Sequence, residues 1–215
     1  MGGDYPWWKY VQRREPSLSD SEELAGRLTQ ASDVAFQMKG MFNLEASENA
    51  YPNVPVAAVS HTYPGVISLD LASGRFFNGS ESAAGSPVAI VGYDIAMNLF
   101  GSEEVLGQKL KIGGKRVEVI GTFARQGESM ISNGFDEFVM VPATFAPRIF
   151  DTRNVDGNSI MVKARPGVEM GILKDEVIQQ LRSVRRVRPG NENDFSINQI
   201  EMLTSIISSI FTQVE

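Results

Sequence analysis

Between Gln108 and Thr122 the chain repeats a two-residue alternation on each side of a glycine pair. Leu110 and Ile112 alternate with Lys109 and Lys111, and Val117 and Val119 alternate with Arg116 and Glu118. Successive strand side chains point to opposite faces, so each arm has one apolar and one charged face. Gly113-Gly114 supplies the positive φ that a primed two-residue turn requires at both central positions. The stretch predicts an antiparallel β-hairpin with one buried face. Such a hairpin is marginal by itself and needs further strands or a helix against that face.

The remaining elements are less sharply marked. Ser19-Asp-Ser-Glu22 fits a capping box, predicting a short helix to about Gln30 with Leu24 and Leu28 on one face. Ser32–Glu48 and Val54–Ser60 read as two strands of a hairpin across Asn49-Ala-Tyr-Pro-Asn53, the first with a break near Gly40. Asn78–Pro87 reads as a polar loop, Val88–Val91 as a buried strand, and Tyr93–Phe100 as a helix ended by Gly101. Ala124–Asp136 reads as a loop, Phe138–Val141 as a strand stopped by Pro142, and Ala143–Phe150 as a short helix. Ser159–Ala164 is a further strand. A helix follows Gly167, with Val168, Ile172/Leu173, Val177, Leu181 and Val184 on one face, and ends near Arg186. Asp194–Asn198 reads as a short strand, and Ile200, Leu203, Ile207, Ile210/Phe211 and Val214 recur at helical spacing. The order of elements fits an α+β fold: an outer α+β lobe built from both chain ends (residues 1–69 and 158–215) with an inserted β-rich lobe (residues 70–157).

Composition narrows function mainly by exclusion. At 215 residues the chain is long enough to bury roughly 70–75% of its unfolded surface. With no Cys and one His, it has no disulfide, no thiolate metal site, no cysteine nucleophile and no two-His site. A formal charge of −6, from 20 Lys+Arg and 26 Asp+Glu, argues against nucleic acid as a partner. Met202–Val214 is free of charge for only 13 residues, short of the about 20 that span a bilayer. The first sixteen residues hold no apolar secretion-signal core. Met1-Gly2-Gly3 reads as added sequence, so the chain is expected to be a piece of a longer protein.

The search for reactive groups returns little. His61 reads as a strand-end or surface residue rather than a base. Gly107–Lys115 superficially suggests a phosphate loop. It fails because Lys109 stands where the first glycine should, and Arg116 where the metal-binding hydroxyl should. Glu22-Glu23, Glu103-Glu104 and Asp136-Glu137 are adjacent carboxylates, which rarely point into one cleft. Asn78-Gly-Ser80 matches a glycosylation sequon, though a turn explains it as well. Arg182, Arg185, Arg186 and Arg188 form the one basic cluster, suited to a helix C-terminus or to an anionic membrane or partner. In Gln126–Gly134, the Ser129-Met130-Ile131 tip sits between flexible flanks, where methionine suits an adaptable contact. Ser129, Met130 and Ile131 are therefore the candidate partner-contact residues; no catalytic, cofactor or metal site is expected.

Taken in order, several short motifs carry a resemblance. Leu71-Ala-Ser-Gly-Arg-Phe-Phe77, Val88-Ala-Ile-Val-Gly92, Leu99-Phe-Gly101, Leu106-Gly-Gln108, Val119-Ile-Gly121 and Val141-Pro142 follow one another with short gaps. Together they resemble the periplasmic core domain of MacB/FtsX-like ABC transporter permeases. Asn158-Ser-Ile-Met-Val162 and Asp194-Phe-Ser-Ile-Asn198 resemble the segments that precede the return to the membrane in that family. The likeness covers about residues 30–215.

The resemblance implies a two-lobed domain: a porter-like α+β lobe with an inserted β-rich, sabre-like lobe. It would sit between two transmembrane helices of a permease in the bacterial inner membrane and face the periplasm. It implies no chemistry and no cofactor. Partners would be the permease helices, a cytoplasmic ATPase acting indirectly, a periplasmic adaptor, and a second copy or a different subunit in a dimer. The role implied is the relay of ATP-driven motion during efflux or export of lipoproteins or peptides. Two other readings stay open: a stand-alone extracytoplasmic ligand-binding domain, and a hydrolase using carboxylates such as Glu103 or Asp136.

Overall fold

A computed structural model describes residues 14–125, 135–150 and 157–198. Helix α1 (Leu18–Ala25) leads into β1 (Ala31–Ala46) and β2 (Asn49–Val59). A short α2 (Tyr63–Val66), β3 (Leu71–Gly74), α3 (Gly79–Ala84), β4 (Val88–Val91) and α4 (Tyr93–Phe100) follow. The predicted hairpin is β5 (Lys109–Ile112) and β6 (Lys115–Phe123), with Gly113 at φ 54° and Gly114 at φ 76°, as a primed turn demands. Then come β7 (Val139–Pro142), β8 (Ser159–Ala164) and α5 (Met170–Val184).

Six of these strands close into a barrel. β1 pairs with β2, β2 with β7, β7 with β4, β4 with β6, β6 with β5, and β5 returns to β1. The β2–β7 and β4–β6 ladders are parallel, and the others in the ring are antiparallel. Closure removes the open edges a flat sheet would leave for unwanted pairing. It depends on β1 using one edge twice: Ala31–Gln37 pair with β8, and Leu44–Glu45 with β5. A register shift between Phe42 and Leu44 lies along the same strand, where a bulge adds the bend and twist that carry it from one partner to the next.

Three apolar clusters fill the structure. Val54, Val56 and Ala58 of β2, with Val117 and Val119 of β6 and Leu110 and Ile112 of β5, meet Ile95 and Leu99 of α4 in the largest. Ala57, Val59, Ile90 and Met140 project the other way and are covered by Tyr63, Phe77 and Phe123. Burial on both faces explains why β2, β4 and β7 read as apolar runs rather than as alternation. Burial pushes Tyr63 up to about 12, and its hydroxyl donates to Gln37 Oε1 at 2.9 Å. The third cluster joins Leu24 and Leu28, Val34 of β1, Leu173, Val177 and Leu181 of α5, and Phe195.

The barrel runs across residue 70, the expected seam between the two lobes. β1 and β2, expected in the lobe made from both ends, supply two of its six strands. Some local expectations shift. Ser17, not Ser19, caps α1, and its box partner is Asp20. The expected loop at 78–87 contains α3, capped by Asn78 and Glu81 in a reciprocal box. Residues 143–148 wind as a 3₁₀ helix. Asp194–Asn198 forms no strand, although Phe195 is buried against α5. The apolar periodicity from Ile200 onward lies outside the described residues.

Candidate functional site

The polar groups with the most connections gather where the N-terminal segment meets the end of α5. Ser17 Oγ accepts from the Asp20 amide at 3.1 Å, and Asp20 Oδ2 accepts from the Ser17 amide at 3.2 Å. This box fixes the Asp20 carboxylate, whose side chain is 5% exposed. Arg185, with a fully buried side chain, donates through Nη2 to Asp20 Oδ2 at 3.0 Å. Its Nη1 donates to the Arg14 carbonyl at 2.9 Å and stands 3.6 Å from Asp194 Oδ2. One guanidinium therefore holds residues from both ends of the described chain. Removing an ion from water is costly, and the paired carboxylates offset that cost here. The fit is incomplete: Arg185 Nε and Asp194 Oδ1 are buried without hydrogen-bond partners.

Neighbouring contacts reinforce the junction. Arg182 Nη1 donates to the Asn191 carbonyl at 3.0 Å and to Asn193 Oδ1 at 2.6 Å, and Nη2 donates to the Arg188 carbonyl at 3.1 Å. Asn158 donates from its amide to Glu15 Oε2 at 3.2 Å and from Nδ2 to the Pro16 carbonyl at 3.1 Å. Glu176 accepts from the Thr29 and Gln30 amides. Burial pushes the Glu176 carboxyl up, but those hydrogen bonds and the Arg165 charge outweigh it and hold it below its ordinary value. Pro16 and the Phe195–Asn198 segment line one apolar cavity of about 160 Å³ with Ile160, Val162 and Leu173.

The four-arginine cluster therefore divides. Arg182 and Arg185 tie the junction together, while Arg186 and Arg188 are exposed. Arg185 was legible in principle, since it continues the i, i+4 ladder Leu173–Val177–Leu181 on the buried face of α5.

Ser129, Met130 and Ile131 lie outside the described residues, and residues 123–125 and 135–138 flank the segment that holds them. Phe123 and Phe135 stack with centroids 5.1 Å apart, and Phe138 meets Phe135 edge-on at 6.2 Å. The Arg125 guanidinium lies 4.7 Å from the Tyr93 ring centroid. The Gly92 amide donates to the Phe138 carbonyl at 2.8 Å. A side chain at Gly92 would collide with the Phe135 and Asp136 carbonyls, so the backbones approach there as only glycine allows. The residues flanking 126–134 thus form an aromatic cluster braced on the barrel.

The other sequence candidates do not converge. His61 is exposed in the turn after β2, and Glu22, Glu23, Glu103 and Glu104 are exposed. Asp136 and Glu137 sit in a one-turn 3₁₀ helix, and Asn78 is a helix cap. Among the described residues no three His, Asp or Glu side chains are grouped to hold a metal ion. No described helix is long and apolar enough to cross a membrane.

The model of the MacB-like periplasmic core domain matches residues 5–180. The chain belongs to that family. The resemblance to the MacB-like periplasmic core domain is thus borne out. Among curated relatives, the macrolide export ATP-binding/permease protein MacB of Bdellovibrio bacteriovorus is 23% identical over 83% of this chain and 27% of that protein. The pyoverdine export ATP-binding/permease protein PvdT of Pseudomonas aeruginosa is 31% identical over 43% of this chain and 14% of that protein. The chain spans about a quarter or less of the length of these relatives. Among solved structures, the periplasmic region of MacB from Actinobacillus actinomycetemcomitans superposes with a TM-score of 0.73 at 15% identity, covering 100% of this chain and 92% of that one. The extracellular domain of the noncanonic ABC-type transporter YknZ from Gram-positive bacteria gives 0.68 at 20% identity, covering 87% and 92%. Both share the fold of this MacB-like domain.

Proposed function

We propose that this domain works outside the cytoplasm as the non-enzymatic part of an ABC transporter permease, joined at both ends to membrane-spanning helices. It passes motion driven by a cytoplasmic ATPase to an adaptor protein or substrate. The observation that carries this reading is the Arg185 junction. A domain that relays displacement between two membrane helices needs both connections on one rigid body, and the tie that Arg185 makes from Arg14 and Asp20 to Asp194 supports that reading. The dispersed carboxylates and the exposed His61 support a domain that docks and moves rather than reacts.

The test is the parent reading frame expressed in membranes. Hydrophobic segments should flank the domain on both sides, and single cysteines placed at exposed Glu103 and Asn191 should react with a membrane-impermeant reagent from outside. Flanks without such segments, or labelling only after lysis, would contradict the reading. The Gln126–Gly134 loop is the proposed adaptor contact. Met130→Asp should weaken adaptor capture by the full permease, and unchanged capture would remove the loop from the interface.

A further inference from the structure

A larger cavity, of about 460 Å³, lies between the barrel and the start of α1. Small-molecule sites span about 300–1,000 Å³ and are mostly apolar with a few placed polar groups. Here the apolar wall comes from Phe36 and Met38 of β1 and Ala143 and Ala146 of the 3₁₀ helix, all buried in the largest cluster, with Leu18 of α1 beside them. Such a wall favours an apolar body without fixing its direction. Direction has to come from the polar groups.

Glu15, Ser17, Thr144 and Asn158 line the same cavity. Ser17 Oγ is committed to the cap of α1, where it accepts from the Asp20 amide at 3.1 Å. The Thr144 hydroxyl donates to the Ser82 carbonyl, which leaves it only lone pairs to offer. Asn158 turns its donors to the N-terminal segment, its backbone amide to Glu15 and its Nδ2 to the Pro16 carbonyl. Its Oδ1 is buried with no hydrogen-bond partner. An acceptor in that position costs free energy until a donor reaches it. Glu15 is exposed and brings a negative charge to the rim. Among the described residues no Lys or Arg lines the cavity. The polar capacity left over is therefore of one kind: it accepts hydrogen bonds and attracts positive charge.

We propose that this cavity binds a small aliphatic ammonium ion. The alkyl chain lies against Phe36 and Met38, and the ammonium group donates to Asn158 Oδ1 within reach of the Glu15 charge. A ligand there touches α1, β1 and the 3₁₀ helix at once, so occupancy braces the N-terminal segment against the barrel. The site goes beyond the permease reading and does not depend on it.

Octylammonium, 1-octanol and octanoate carry alkyl chains of similar length and differ in charge at the head, so they serve as probes. The full 215-residue chain, labelled with carbon-13 at its methionine methyl groups, reports where they bind. Octylammonium should shift the Met38 methyl saturably and leave Met140, buried in the separate cluster with Tyr63, unmoved. It should bind about tenfold or more tightly than octanol, as a hydrogen bond from a charged donor allows, and octanoate should bind weakest. Asn158→Leu should bring ammonium and octanol within about fivefold of each other, the preference that Glu15 alone sustains. Glu15→Gln should weaken octylammonium about two- to fivefold and leave octanol unchanged. Loosening of the Pro16 contact in Asn158→Leu affects both probes alike, so it leaves their ratio unmoved. Shifts spread over all methionines without saturation, equal affinity for the three probes, or an ammonium preference that survives Asn158→Leu would each overturn the site.

Discussion

In the barrel, Leu44, Val56, Ile112 and Val119 are wholly buried among other aliphatic side chains. In the layer of α1, α5 and β8, the apolar cluster is smaller, and the contacts joining distant parts of the chain are polar: Arg185 to Asp20 and Arg14, Glu176 to Thr29, Asn158 to Pro16. Apolar packing is non-directional and stabilises any arrangement that excludes water. A buried guanidinium with fixed partners contributes little net stability but tolerates only one geometry. The barrel therefore holds the larger share of the apolar burial, and the junction fixes Arg14 and Asp20 relative to Asp194. The proposed relay of displacement would draw on that division of labour.

Breaking the junction should have the largest effect. Arg185→Met leaves the buried Asp20 carboxylate with only the Ser17 amide and the exposed Arg14 at 3.7 Å, and should cost about 3–5 kcal/mol in chemical denaturation. Adding Asp20→Leu should restore much of that, since replacing both ions removes the stranded charge. A neutral Arg185→Met would erase the contrast between the two regions. Leu44→Ala, a truncation at a wholly buried barrel position, should cost about 2–5 kcal/mol. Amide exchange sharpens the comparison. Leu44→Ala should expose β1, β2 and β5, whereas Arg185→Met should first expose α1 and residues 186–198.

A smaller effect comes from an ion pair in water. Arg75 binds both oxygens of Glu81 at 2.7 Å, and Arg75 is 55% exposed. That hydrogen bonding, with the Asn78 amide, lowers the Glu81 carboxyl from 4.5 to about 2. A depressed carboxylate stabilises fully above its unfolded value and loses the contribution as pH falls through the folded one. Glu81→Gln should therefore cost about 0.5–1 kcal/mol at neutral pH, and the difference should fade between pH 4.5 and about 2. A difference that persisted at the acid end would mean that cap geometry, not charge, carries the effect.

How far the sequence revealed this architecture depended on distance along the chain. The β5–β6 hairpin, α4 with its Gly101 cap and β8 were legible because their signals are local. Ring closure was not, because it rests on parallel pairing of Val56 with Val139 and on a bulge near Phe42 that let one strand serve two partners. Helix α3 hid behind Gly, Ser and Ala, although Asn78 and Glu81 have the spacing of a capping box. Phe195 and Ile197 imitate a strand by alternating, yet they pack beside α5 and form no ladder. At the junction, the charges of Arg182–Arg188 masked the fact that Arg185 occupies an apolar-face position.

The chain has no cysteine, so Glu15→Cys and Ser196→Cys, both at exposed positions, accept a pair of spin labels without further change. The distance distribution between them tests whether one face holds both ends of the domain. A single short, narrow distribution that broadens in Arg185→Met is the expected result. A long separation, or a distribution indifferent to Arg185, would contradict it.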